Sequence, residues 1–175
     1  MRHSFKDQLS SHEALATLAG GCFWGVEDLL RKTPGVLRTQ VGYTGGQTLA
    51  PNYDQVKTGE TGHAEAIEVV FDSSQLEYEA LLELFFKIHD PTTLNQQGND
   101  IGSQYRSEIF VHTPEQRSTA QHILQKVQNS DAWKRPIVTR ITDATSFWPA
   151  EEFHQDYLEK NPGGYTCHFE RKIRF

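Results

Sequence analysis

Cys22 sits in the stretch GGCFWG, a thiol between flexible glycines and two large aromatic rings. A cysteine kept for packing normally stands among aliphatic side chains. This one stands at a bend, where a short apolar strand pattern gives way to a helical one. At such a turn the sulfur faces unpaired backbone N–H groups and the positive end of a helix dipole, and both favour the thiolate. The flanking glycines would let a substrate approach closely. Cys22 is therefore a candidate nucleophile, although a cysteine ahead of a helix also serves packing. Phe23 and Trp24 read as core side chains or as walls for a small apolar group.

Other residues could complete such a site. Glu65, in TGHAEAIEVVFD, shares strand parity with Ile67, Val69 and Phe71. A carboxyl at the head of an apolar row loses water, its pKa rises, and it becomes a candidate acid near neutral pH. By parity alone it reads equally as an exposed strand-end acid. Tyr53 and Tyr105 offer phenolic donors to a developing negative oxygen, and Asp100 could orient a water or a neighbouring donor, but core tyrosines and turn aspartates are commoner. Cys167, in GGYTCHFERKIRF, lies in a polar tail after a glycine pair. A thiol there is poorly explained by packing and is suited to reach another sulfur.

The elements that must position these residues follow from hydrophobic period and turn signals. Leu15 to Ala19 reads as a strand. A helix beginning near Trp24 carries Val26, Leu29 and Leu30 on one face and ends at Pro34-Gly35. Val36 to Tyr43 alternates as a second strand with Leu37, Val41 and Tyr43 in phase. The segment from Tyr43 to His63 is too rich in Gly, Thr and Asn for regular structure throughout, and loops of that length are usually functional or mobile. After the Glu65 strand, Tyr78 to His89 spaces Leu81, Leu84, Phe85 and Ile88 as a helix. A second polar loop leads to a strand with Tyr105, Ser107, Ile109 and Val111 in phase. Thr113-Pro114 caps a helix with Ala120, Ile123, Leu124 and Val127 on one stripe. Pro136 to Asp143 reads as a strand and Glu151 to Glu159 as a short helix. The sum is an α+β chain, a two-layer, ferredoxin-like sandwich with a mixed sheet, helices on one face and long functional loops.

Composition narrows the function classes. A chain of 175 residues suits one domain and needs no metal or disulfide staple to fold. Residues 1–13 read as a loose N-terminal extension without a secretory signal, and 161–175 as a tail carrying Cys167. The net charge of −6, with acids and bases interspersed, argues against a nucleic-acid surface. A mean hydropathy of −0.60 and the lack of a long apolar run argue against a membrane span. Two cysteines in the whole chain exclude a disulfide scaffold and point to a cytoplasmic protein. No CxxC, HxxxH or similar ligand spacing supports a metal site, and no cofactor is called for.

GCFWG, VGYTGG, PNYDQV, TGHAE, HDPTT, QGNDIGSQYRS and KNPGGYTCHF occur in the order seen in peptide methionine sulfoxide reductases of the A class. The chain resembles that family over most of residues 15–169. The resemblance implies that Cys22 is the nucleophile, Glu65 the proton donor, Tyr53 and Tyr105 donors to the sulfoxide oxygen, and Asp100 part of their water-linked network. Phe23 and Trp24 would hold the substrate methyl group. It also implies free or protein-bound methionine sulfoxide as substrate, the S epimer, and a Cys22 sulfenic acid that Cys167 resolves as a disulfide. Thioredoxin or a similar dithiol would then reduce that disulfide. Two other readings stay open on the residues alone: an acyl hydrolase pairing Cys22 with His63 or His154, and a non-catalytic peptide- or metal-binding module.

Overall fold

The computed structural model describes all 175 residues. Its elements in chain order are β1 (Glu13–Gly20), α1 (Phe23–Arg31), β2 (Val36–Thr44), α2 (Tyr53–Lys57), β3 (Ala64–Asp72), α3 (Tyr78–Ile88), β4 (Gln96–Gln97), β5 (Asp100–Ile101), β6 (Ser107–Val111), α4 (Pro114–Asn129), β7 (Arg140–Asp143), β8 (Trp148–Pro149) and α5 (Tyr157–Lys160). Six strands form one mixed sheet in the order β7-β6-β1-β3-β2-β8. The β6/β7 pair is parallel and the other neighbours are antiparallel. The short strands β4 and β5 pair only with each other.

One face of the sheet is covered by helices. Ala16 and Leu18 of β1, Ile67, Val69 and Phe71 of β3, and Ile109 and Val111 of β6 meet Val26 and Leu30 of α1, Leu81, Leu82, Phe85, Phe86 and Ile88 of α3, and Ala120, Ile123 and Val127 of α4 in one buried cluster. Period-2 alternation in the strands and the 3.6 period in the helices place these residues together. Each large side chain so buried is worth about 1.5–3 kcal/mol. Thr113 caps α4 by accepting the Gln116 N–H at 3.1 Å, with Pro114 in the first turn.

The other face carries buried polar groups. Residues 1–13, expected to be loose, are tied down there: the Ser4 hydroxyl and the Phe5 N–H both donate to Glu68, and the His3 carbonyl accepts from Gln40. Phe147 joins Ala19, Ala64, Ala66 and Phe110 in a smaller cluster.

Several local expectations change. A bulge lies between Val36 and Arg38 in the pairing of β2 with β3, so Leu37 leaves the phase of Val41 and Tyr43 and stays 50% exposed. Tyr105 ends a 3₁₀ turn, Ser103–Tyr105, instead of entering β6. The Pro136 strand is ordered as a ladder only from Arg140. Glu151 to Glu159 is broken by Asp156, whose φ of 52° is left-handed, into a 3₁₀ turn at Glu152–His154 and the short α5. The loop after Tyr43 contains α2, held by a reciprocal cap in which Asn52 and Gln55 satisfy each other's backbone N–H.

Candidate active site

Strand β1 ends at Gly20, Gly21 turns the chain with φ 97°, and Cys22 is the residue from which α1 starts. The first turn of a helix leaves N–H groups without intrahelical partners. Here they serve two side chains. The Phe23 N–H donates to Glu65 Oε1 at 3.2 Å, reaching across to β3. The Trp24 N–H lies against the Cys22 sulfur and favours the thiolate, without making a regular cap bond. Cys22 and Glu65 thus share one helix terminus, and both are buried, 8% and 2% exposed.

Burial decides the charge state of both. The Cys22 thiol is pushed well above its ordinary pKa, first by loss of water, then by the Glu65 carboxylate, with Asp100 and Cys167 adding in the same sense; the Trp24 N–H opposes them and loses. Loss of hydration at this buried sulfur outweighs the one helix end that favours the thiolate, so the resting form is a neutral thiol. Glu65 is pushed up to about 8, again by burial first, with the Phe23 N–H opposing and Asp100 reinforcing. At neutral pH it is a protonated carboxyl, which can give a proton away. Parity left it open between a dry acid and an exposed strand-end acid, and in the fold it is buried.

Tyr53 opens α2, where its N–H donates to Glu151 Oε2 at 3.1 Å. Its phenol is raised to about 12, by burial, then by Glu65 and Cys22. The Tyr105 phenol is raised by burial, then by Glu65, Tyr53, Asp100 and Cys22. The two phenols therefore stay protonated donors, and the charges of Glu65, Cys22 and Asp100 act on both. The Tyr105 turn is fixed from behind: Arg106 donates to the Ser103 carbonyl at 2.9 Å and the Gly62 carbonyl at 3.0 Å, and is paired with buried Glu108 at 2.6 Å. Asp100 lies on β5, half-buried, and its pKa is raised by burial against hydrogen bonds from Tyr165 and Cys167. Its direct partners belong to the tail, whereas the tyrosines feel only its charge.

Phe23 and Trp24 divide between the two roles read for them. Phe23 is 1% exposed and packs with Val41, Tyr43, Val56 and Ala150. Trp24 is half-buried, stacks on Tyr157 at a centroid distance of 3.8 Å, and donates from Nε1 to His154 Nδ1 at 3.0 Å. Tyr53 lies against the same imidazole, centroids 4.5 Å apart. His154, Glu151 and Tyr157 were not read from the sequence as parts of this wall; the aromatic and charged run WPAEEFHQDY was the available signal. Neither histidine of the hydrolase reading pairs with Cys22, since His63 bonds the Gly46 N–H and the Thr48 carbonyl while His154 accepts from Trp24.

The tail brings Cys167 to this region. His168 Nε2 lies 2.7 Å from the carbonyl oxygen of Gly20, immediately ahead of the Gly21-Cys22 turn. Cys167 Sγ lies 3.9 Å from both the Gln97 carbonyl and Asp100 Oδ2, and both thiols are free. The glycines around Cys22 make room for this tail: a Cβ at Gly21 would meet Gln97 and His168, and one at Gly25 would run into the His168 ring and the Thr166 hydroxyl.

The chain that carries this site is similar to known proteins over nearly its whole length. The peptide methionine sulfoxide reductase family model matches residues 14–174. A peptide methionine sulfoxide reductase MsrA of Mycolicibacterium gilvum is 56% identical over 163 residues, 93% of this chain and 94% of that protein. Among solved structures, reduced Mxr1 from Saccharomyces cerevisiae superposes with a TM-score of 0.88 at 36% identity, covering 98% of this chain and 96% of that one. Mxr1 in complex with Trx2 superposes with a TM-score of 0.64 at 25% identity, covering 98% of this chain and 96% of that chain. The thiol and the neutral carboxyl on one helix end, and the second thiol on the tail, all lie within a match that spans nearly every residue, and the chain belongs to the peptide methionine sulfoxide reductase family.

Proposed function

We propose that this chain reduces methionine sulfoxide, free or in oxidised proteins, to methionine, with Cys22 as nucleophile and Glu65 as proton donor. The observation that carries the assignment of roles is the shared helix terminus: a buried neutral carboxyl held by the Phe23 N–H and, at the start of the same helix, a buried thiol. A sulfoxide has an electrophilic sulfur and an oxygen that leaves only if it is protonated during attack. Glu65 supplies that proton, and the Tyr53 and Tyr105 hydroxyls donate to the oxygen as charge gathers on it. The resting thiol is neutral, so ionisation of Cys22 is coupled to arrival of the polarised sulfur, whose partial positive charge offsets the desolvation. The Cys22 S–H proton replaces the one that Glu65 has given up, so thiol and sulfoxide become sulfenic acid and thioether and Glu65 ends as it began, a neutral carboxyl. Trp24, backed by buried Phe23, walls the substrate methyl group. The S epimer is the one expected of this family.

Cys167 condenses with the Cys22 sulfenic acid to a disulfide, and thioredoxin reduces it by exchange. Supporting this are two free thiols brought to one region by the His168 contact, and the structure of the yeast relative with Trx2. Asp100, bonded to Cys167 and felt by both tyrosines, links the two halves of the cycle. No cofactor takes part in either step. The core order β6-β1-β3-β2, built from a β-α-β-β-α-β succession, supports a ferredoxin-like reading of the sheet with β7 and β8 added at its edges. We read residues 1–175 as one catalytic domain of a cytoplasmic protein, in keeping with two free thiols in the whole chain.

Intact-mass measurement after adding free methionine sulfoxide without reductant tests the cycle. A loss of about two hydrogens, abolished in Cys22→Ser, is expected; an added acyl group from an ester substrate, or no covalent change with the sulfoxide, would contradict it.

A further inference from the structure

His168 has a definite tautomer. Its Nε2 faces the Gly20 carbonyl oxygen at 2.7 Å, and a carbonyl oxygen only accepts, so Nε2 carries the hydrogen. In a neutral imidazole the lone pair is then on Nδ1. That atom lies 3.7 Å from Cys167 Sγ. The ring is buried between the glycines flanking the Cys22 turn, and the backbone N–H of His168 donates to the Thr166 hydroxyl at 3.1 Å. We propose that His168 is the base of the resolving step, its Nδ1 taking the Cys167 thiol proton as that sulfur attacks the Cys22 sulfenic acid. The inference rests on the roles proposed above for Cys22 and Cys167.

The other atoms near Cys167 do not fill this place. The Gln97 carbonyl is not a base, and Asp100 Oδ2, 3.9 Å from the Cys167 sulfur, is shared with the Tyr165 hydroxyl at 3.3 Å, whereas His168 Nδ1 lies nearer, at 3.7 Å, and has Cys167 as its one partner. Burial and the Asp100 charge both push the Cys167 thiol up, so at neutral pH it does not ionise unaided. Burial keeps the imidazole below its ordinary pKa, hence neutral and able to accept, with Arg171 acting in the same direction and the Gly20 carbonyl opposing. The ionisable groups facing the ring are Cys167, Arg171 and His89, and burial holds His89 down at about 3. Neither Arg171 nor His89 changes charge near neutral pH. In the step itself the Cys167 S–H bond and the Cys22 S–O bond break and the S–S bond forms. The imidazolium gives its proton to the departing hydroxide, and one water leaves. Cys167 is oxidised, the sulfenic sulfur is reduced, and no outside reagent is needed.

The test mixes reduced enzyme with one equivalent of methionine sulfoxide and no reductant. Methionine is followed beside the disulfide, and sulfenic acid is trapped with a 1,3-dione. In wild type the disulfide should follow methionine closely. In His168→Gln and His168→Ala, methionine should form as in wild type, which shows that the site is folded. The disulfide should appear about 10²-fold more slowly at pH 7, with sulfenic acid trapped instead. The deficit should shrink as pH rises and hydroxide replaces the base, and added imidazole should speed the alanine variant. Disulfide formation at the wild-type rate in both variants, or a deficit of the same size at every pH, would overturn the proposal; the latter would make the ring a latch only. Absence of methionine in wild type would instead refute the reading of Cys22, and the inference with it.

Discussion

Glu65 and Glu68 stand three residues apart on β3, both nearly inaccessible at 2% and 1% exposure, and they end in opposite circumstances. Odd and even positions of a strand face opposite sides of the sheet. On its side Glu68 accepts from the Ser4 hydroxyl at 2.5 Å, the Phe5 N–H at 2.9 Å and the Gln40 amide at 2.7 Å. On the helix side Glu65 has one donor, the Phe23 N–H at 3.2 Å, and is pushed up to about 8. A buried carboxyl with several donors is a structural anchor, whereas one left with a single long hydrogen bond holds a transferable proton.

The largest effect should come from removing that proton. Glu65→Gln keeps size and shape, yet single-turnover methionine formation in rapid-quench assays should fall by about 10²–10⁴-fold. Glu68→Gln should leave that rate at the wild-type value while lowering stability in urea titration by about 1–3 kcal/mol, because donors placed for a carboxylate lose an acceptor. Equal losses of rate in both variants would erase the distinction.

Glu65 should also make stability respond to pH. Glu65 is raised in the folded state above its ordinary 4.5, to about 8, so its contribution is complete below the unfolded value and is lost as pH rises through the window up to about 8. Glu27 adds to this loss: burial pushes it up to about 7, against hydrogen bonds from the Asp156 N–H and Thr39. Glu65→Gln should therefore melt about 3 °C or more above wild type at pH 9, and this advantage should vanish near pH 4. The smallest effect is expected from Ser4→Ala, which takes one donor from Glu68: about 1 kcal/mol in the same urea titration, with unchanged turnover.

Much of this was legible in the order of residues, where the cause is local. Glu65 could be placed among Ile67, Val69 and Phe71 because strand period fixes the face. Cys22 could be set at the mouth of a helix because glycines precede it and an amphipathic run follows. What could not be read depends on distant partners. The neutral state of Cys22 arises from burial and from charges on β3 and β5, and the donors of Glu68 come from the N-terminal segment. The glycines of GGCFWG looked like space for a substrate, but Gly21 and Gly25 accommodate a ring from the far end of the chain. Leu37 lost its phase to a bulge that alternation does not encode. His168 carries no readable sequence signal for its place, because its tautomer depends on a carbonyl in β1.

The most direct test of the account is the pH dependence of the first turnover. If a neutral Glu65 supplies the proton, methionine formation in wild type should be level near neutrality and fall about tenfold per pH unit above about 8, and Glu65→Gln should be slow without that break. A wild-type rate that climbs through pH 8, as for a site limited only by thiolate, would contradict it.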